Sequence, residues 1–144
     1  MAVSYMPAGA QTVTPYLAVP GVASLIDFLK ATFDAKEIDR AVTPDGRIIN
    51  ATLAIGGSRL MMGDPGGQPA ETAMLYVYVP DCDAVYARAL AAGAKSLLVP
   101  TDQFYGDRTA AVQDATGNKW WIATRREDLT PEEGARRMAA RFGG

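Results

Sequence analysis

No histidine occurs anywhere in this 144-residue chain. Histidine is the commonest metal ligand and the usual acid–base group near neutral pH, so its absence removes His-based zinc sites and Ser-His or Cys-His nucleophile pairs. The single cysteine, Cys82, excludes an internal disulfide. It stands at an expected helix start, where the dipole would lower its pKa, but Asp81 and Asp83 beside it push the other way and no histidine can activate it. Arg108 follows Gly106-Asp107 at the mouth of an expected strand. It can clamp an anionic group on a ligand, or make an ion pair with Asp107, Asp114 or the C-terminal segment. Asp114 heads the turn Asp114-Ala115-Thr116-Gly117 and is read as capping it, not as a general base. Asp64-Pro65-Gly66-Gly67 shares only its glycines with a phosphate-cradling loop. It lacks the Lys-Ser/Thr pair and is read as a connector.

The elements that must position these groups are set by an internal repeat. Tyr16-Leu17-Ala18-Val19-Pro20 is echoed about sixty residues later by Tyr76-Val77-Tyr78-Val79-Pro80, and Gly57 to Met62 by Gly117 to Ile122 at the same offset. The implied unit is strand, helix, then strands, occurring twice, with a cleft formed between the copies. In the first copy, alternation gives strands over 12–19, 37–43, 47–55 and 58–62, and 3.6-residue periodicity gives an amphipathic helix over 22–33. Pro44-Asp45-Gly46 and Gly56-Gly57 supply the turns. In the second copy, strands are expected over 73–79, 95–99, 109–113 and 119–124. A helix over 82–92 is capped by Asp81 and ended by Gly93, and residues 100–106 are read as a loop. Thr130-Pro131-Glu132-Glu133 is a capping box that starts a last helix, outside the repeat, running to about Phe142.

Composition narrows the function classes. The hydrophobic fraction is 49% and the charged fraction 21%, both ordinary for a globular protein. A net charge of −2 and a pI near 5.1 leave no basic face for nucleic acid. No apolar run reaches the length of a membrane span, and residues 1–11 carry neither a basic residue nor an apolar block, so neither a membrane partner nor a secretory signal is expected. A cytoplasmic location follows as the expectation.

The tandem βαβββ pattern resembles the vicinal oxygen chelate superfamily, which includes glyoxalase I, extradiol dioxygenases and bleomycin-resistance proteins, and within it the PhnB-like branch. The resemblance rests on Thr12-Val13-Thr14-Pro15-Tyr16-Leu17, Asp45-Gly46-Arg47-Ile48, Tyr78-Val79-Pro80-Asp81, Ala91-Ala92-Gly93-Ala94, Tyr105-Gly106-Asp107-Arg108, Asp114 with Gly117, and Trp120-Trp121-Ile122-Ala123-Thr124. It covers about Thr12 to Met138. It implies an α+β fold: tandem βαβββ modules forming a curved mixed sheet with a cup-shaped cleft and helices on the outer face. The corresponding organisation is a flexible N-terminal arm (1–11), a single domain (12–128) built from modules 12–62 and 73–124 joined by connector 63–72, and a C-terminal helix (129–144).

In metal-using members of the superfamily, His or Glu ligands sit early in the first strand and in the last strand of each half. Those positions fall here on Thr14, Met61, Met74 and Trp121, none a normal ligand for a hard or borderline divalent cation. The PhnB-like pattern often carries His where this chain has Gln11, Asn50, Asn118 and Arg125. No metal and no cofactor are therefore expected. If Leu17, Leu53, Leu60 and Val77 face the helices, alternation turns Thr14, Tyr16, Asn50, Thr52, Met61, Met74, Tyr76, Tyr78 and Trp121 into the cup, with Phe104 or Tyr105 at its rim and Arg108 at its mouth. Such a wall suits a flat or hydrophobic small molecule, and it can equally be filled by its own rings or buried against a second subunit. The expectation is a metal-free binding or sequestering protein, with a homodimer as its assembly. The alternative is a metal-dependent lyase, isomerase or dioxygenase of the same superfamily.

Overall fold

In the computed structural model, which describes residues 2–143, the chain divides into two compact units, Met1–Ala73 and Met74–Gly144. The first contains β1 (Tyr16–Ala18), α1 (Val22–Phe33), β2 (Lys36–Val42), β3 (Ile48–Ile55) and β4 (Ser58–Gly63). Its sheet order is β1-β4-β3-β2, with β1 parallel to β4 and the other pairs antiparallel. The second contains β5 (Met74–Tyr78), α2 (Cys82–Ala91), β6 (Lys95–Asp102), β7 (Asp107–Gln113), β8 (Lys119–Arg125) and α3 (Pro131–Phe142). Its order, β5-β8-β7-β6, repeats the first, again with the parallel pair at one edge. The fold is α+β, as the repeat requires.

Each sheet has one face that is dry. In the first unit Leu17, Ala51, Leu53, Leu60 and Met62 are buried, as are Val22, Leu25, Ile26, Phe28, Leu29 and Phe33 of α1. Full burial of a Leu or Ile side chain stabilises by about 1.5–3 kcal/mol, so this stripe is the main reason the twelve residues of α1 stay helical. The helix ends through Asp34, which takes the left-handed conformation (φ 56°) while the Ala35 N–H reaches back to Leu29 O at 3.3 Å. In the second unit α2 is shorter and buries only Cys82, Val85 and Ala89. The sheet supplies the bulk instead, through Trp120 and Ile122, which pair with Val112 and Ala110 of β7 and are all fully buried.

Two expected boundaries differ from the structure by three residues or more, each for a local reason. The first strand is not formed from residue 12: it begins at Tyr16, because Pro15 has no N–H to give the ladder. Ahead of it, the Gln11 side-chain amide takes the place of a strand residue. Its Nε2 donates to Arg59 O and its Oε1 accepts from Arg59 N, both at 3.0 Å. The expected loop over 100–106 is shorter, because β6 runs on through Pro100 to Asp102. It is an edge strand with register breaks between Ser96 and Thr101, the setting in which a sheet tolerates proline.

Buried polar groups are tied into the frame. Asp114 Oδ1 accepts from Thr116 N (2.8 Å), Thr116 Oγ1 (2.7 Å) and Asn118 N (3.2 Å), while Oδ2 accepts from the Trp120 indole N–H at 2.7 Å. It caps its turn as expected, and it also fixes the orientation of the largest core side chain. The helix α3 buries no residue. Thr130 caps it by accepting from Glu133 N at 3.1 Å, but the Glu133 carboxylate reaches forward to Arg136 and Arg137 and not back to the cap. Arg137 also holds Glu127 (2.7 Å) and Phe104 O (3.3 Å), and the Phe142 ring meets Phe104 edge-on at 5.7 Å. Thus α3 is fastened by the Arg137–Glu127 ion pair, the Arg137–Phe104 hydrogen bond and one ring contact.

Two outcomes are expected. Replacing Asp114 by Ala removes a charged acceptor from a buried indole and from its own turn, and should lower unfolding stability by about 3 kcal/mol in a denaturant titration. The guanidinium groups of Arg136 and Arg137 hold the Glu133 carboxyl down to about 2 from its ordinary 4.5. A depressed folded-state pKa contributes stability that is fully present above about 4.5 and is lost as pH falls through about 2. Glu133, Arg136 and Arg137 all lie on α3, so protonating Glu133 loosens the helix itself. The pair that ties α3 down is Arg137 with Glu127, whose carboxyl Arg137 also holds below its ordinary value. Acid titration should therefore fray and then release α3, seen as loss of the Phe104–Phe142 ring-current shifts by NMR before the sheets unfold.

Candidate functional site

The open face of the second sheet carries an aromatic and acidic cluster. Period-two alternation puts Tyr76 and Tyr78 of β5 on the face away from Leu75 and Val77. In register, Tyr76 lies beside Trp121 of β8, which lies beside Ala111 of β7, and Tyr78 lies beside Ala123, then Thr109. One step along β7 from Thr109, on the same face, is Asp107. Its place depends on Gly106, whose φ of 103° turns the chain into the strand and whose missing Cβ leaves room for Glu127 O, 2.8 Å from where that atom would sit. Gly106 O then accepts from Arg126 N at 2.8 Å, pinning the bend to the end of β8.

Asp107 is only 3% exposed. Its Oδ2 accepts from both phenols, Tyr76 Oη at 2.8 Å and Tyr78 Oη at 3.1 Å. Its Oδ1 is buried and accepts no hydrogen bond among the described residues, with Arg125 Nη1 3.6 Å away. Arg125 is shared, since its Nε donates to Asp128 at 2.7 Å. The two rings stand edge to face, 5.3 Å apart at 61°. Desolvation, then the hydrogen bond with Tyr105 and the one that Tyr76 donates to Asp107, push the Tyr76 phenol well up. The bond to Asp107 pushes Tyr78 up as well. Both phenols are therefore neutral throughout the physiological range, and each donates its one hydrogen bond to the same carboxylate oxygen. Tyr76 nevertheless stays 43% exposed and Tyr78 62% exposed.

The remaining expected residues divide by face. In the first unit, Tyr16 of β1 pairs with Met61 of β4 and Met61 with Thr52 of β3, in one row on the face opposite the buried leucines. Asn50 lies two residues along β3 and is half-buried. The Tyr16 hydroxyl approaches Ile49 O (3.4 Å) and crowds the Cα of Gly63, where any Cβ would strike both. Thr14 precedes β1 and donates to Gln11 O at 3.4 Å. Met74 is exposed at the start of β5, beside Lys119. Phe104 packs against Tyr105 and Phe142.

Arg108 is a correction. It alternates with Asp107 and so projects from the helix side of the sheet, where it grips Asp83 of α2 (2.8 and 3.2 Å) and Asp102 of β6 (3.1 Å). Arg108 does form ion pairs, but with Asp83 and Asp102, and not with the expected Asp107, Asp114 or C-terminal segment. Cys82 is also on that side: it is buried, its Sγ is 3.3 Å from Ile122 O, and burial followed by Asp83 pushes the thiol up, away from nucleophilic use. The lining expected from the sequence omits Asp107 and Arg125 and has Tyr105 only at the rim. The available signal was the alternation Asp107, Thr109, Ala111 along β7 and its pairing with the strand between it and Tyr78.

The donor set does not suit a divalent cation. Thr14, Met61, Met74 and Trp121 offer a hydroxyl, two thioethers and an indole, and no group of three or more His, Cys, Asp or Glu stands together among the described residues. The open-face cluster supplies one carboxylate and two protonated phenols, and no metal-dependent step is derived from it.

Known proteins place this architecture. A family model described as the glyoxalase/bleomycin resistance protein/dioxygenase superfamily matches residues 10–122. An uncharacterized protein of Mycobacterium bovis is 34% identical over 148 aligned residues, covering 92% of this chain and 93% of that one. The crystal structure of TioX from Micromonospora sp. ML1 superposes with a TM-score of 0.69 at 25% identity, covering 81% of this chain and 99% of that one. The PhnB protein of Bacillus cereus shares the fold at a TM-score of 0.62 and 19% identity, over 79% and 99% of the two chains. No helix among the described residues is long and apolar enough to cross a membrane. With the repeated β-α-β-β-β order on one side and the family match over most of its length on the other, the chain belongs to the glyoxalase/bleomycin resistance protein/dioxygenase superfamily.

Proposed function

We propose that this chain is a small-molecule-binding member of its superfamily, holding or sequestering an aromatic or hydrophobic ligand without a divalent metal. One observation carries the reading: Tyr76 and Tyr78 keep large ring areas exposed while their hydroxyls are anchored to a buried carboxylate. Exposed rings that are already fixed lose little conformational freedom on binding, and an offset or edge-on ring contact adds about 0.5–1.5 kcal/mol beyond area burial. Trp121, half-buried beside Tyr76, extends the surface. In the second unit Met74 is part of the proposed lining, and Phe104 with Tyr105 part of its rim; in the first unit Thr14, Tyr16, Asn50, Thr52 and Met61 are proposed as ligand-binding residues of its own open face. Arg108 is left out, since two carboxylates already occupy it.

The donor chemistry supports the metal-free side of the proposal. The reading includes a homodimer, supported by the apolar Met138 and Phe142 that α3 leaves exposed. It also includes a cytoplasmic location and a PhnB-like affiliation, the latter resting on Tyr105-Gly106-Asp107-Arg108 and Trp120-Trp121-Ile122-Ala123-Thr124.

The test is intrinsic tryptophan fluorescence against a library of aromatic small molecules, in chelator and then with added Zn²⁺, Mn²⁺, Ni²⁺ or Fe²⁺. Saturable quenching in chelator is expected, weakened at least tenfold in Tyr78→Ala and abolished in Trp121→Ala. A response that appears only with metal would return the protein to the metal-dependent enzymes of its superfamily.

A further inference from the structure

Resting on the binding reading above, we infer that the Tyr76–Tyr78–Asp107 cluster is a recognition site for a cationic nitrogen, so that the ligand is an organic ammonium or amidinium carrying an aromatic body. A phenol has one proton to donate, and both phenols here spend theirs on the same oxygen, Asp107 Oδ2. What remains on each exposed hydroxyl is lone pairs. The Tyr76 hydroxyl is also in contact with that of Tyr105, and Arg125 is engaged by Asp107 and Asp128, so a ligand group that binds Tyr76 and Tyr78 themselves meets acceptors and must supply the hydrogens. Carboxylates and phosphates have none to give.

Charge points the same way. Asp107 and Asp128 share the single guanidinium of Arg125, at 3.6 and 2.7 Å, so these three groups together carry one net negative charge. Asp107 is buried, and its Oδ1 accepts no hydrogen bond among the described residues. A buried carboxylate oxygen that accepts no hydrogen bond, and whose guanidinium 3.6 Å away is shared with Asp128, is incompletely compensated, and further positive charge brought nearby offsets that cost. The rings complete the site, because two phenol faces inclined at 61° with centroids 5.3 Å apart form an electron-rich corner for a cation. Hydrogen bonding of both phenols to a carboxylate further enriches those faces. Tyr105, beside Tyr76, adds a third exposed ring.

The experiment is calorimetric titration of the full chain at neutral pH with three probes of one ring system: 2-naphthylmethylammonium, neutral 2-naphthylmethanol and the anion 2-naphthoate. The cation is expected to bind at least tenfold more tightly than either of the others. That margin should collapse in Tyr78→Phe, which keeps the ring and removes the acceptor, and in Asp107→Asn, whose fold is checked by its thermal transition. Binding of all three probes within tenfold of one another, or tighter binding of the anion, overturns the inference and leaves the aromatic-binding reading standing. A cation preference that persists in both variants also overturns it, by placing the selectivity elsewhere. Failure of all three probes to bind sinks the inference together with the reading it rests on.

Discussion

Burial of one face of each four-stranded sheet under a single helix is the constraint from which the rest follows. Side chains alternate along a strand, so committing Leu17, Leu53, Leu60 and Met62 to α1 commits Tyr16, Thr52 and Met61 to the other side. The same logic in the second unit sends Trp120 and Ile122 inward and Trp121 outward. The functional surface is thus what remains after packing has taken its share. A one-residue slip in any strand would exchange the two sets, which is why Asp114, by anchoring the indole of Trp120, indirectly holds Trp121 in place as well.

Much of this was legible in the sequence, because it depends on local periodicity. The helix over 22–33 has the bounds that its apolar spacing predicts, and the repeat predicts the shared order of the two sheets. The sorting of Leu53 from Thr52 and of Trp120 from Trp121 follows from alternation alone. Boundaries were read less well where the ladder does something unusual: a glutamine side chain standing in for strand backbone at Arg59, and a proline carried within an edge strand at residue 100.

The acidic centre of the candidate site was not legible, for a different reason. Asp107 is twenty-nine residues from Tyr78, and its partnership depends on β8 lying between β5 and β7 and on the bend at Gly106. Charge proximity along the chain favours pairing Asp107 with its neighbour Arg108, yet strand alternation points the two side chains to opposite faces. Arg108 then finds Asp83 across the helix interface. Register, which is a property of the whole sheet, outweighed adjacency.

The proline carried within β6 bears on how the protein behaves at high concentration. A free sheet edge presents a row of unpaired amides and carbonyls that a second chain can extend into a continuous ladder, and Leu97 and Val99 would make such an extension sticky. Pro100 offers no amide to that ladder, and the register breaks between Ser96 and Thr101 keep the edge from lying flat. An otherwise adhesive border is thereby made a poorer template for β-aggregation.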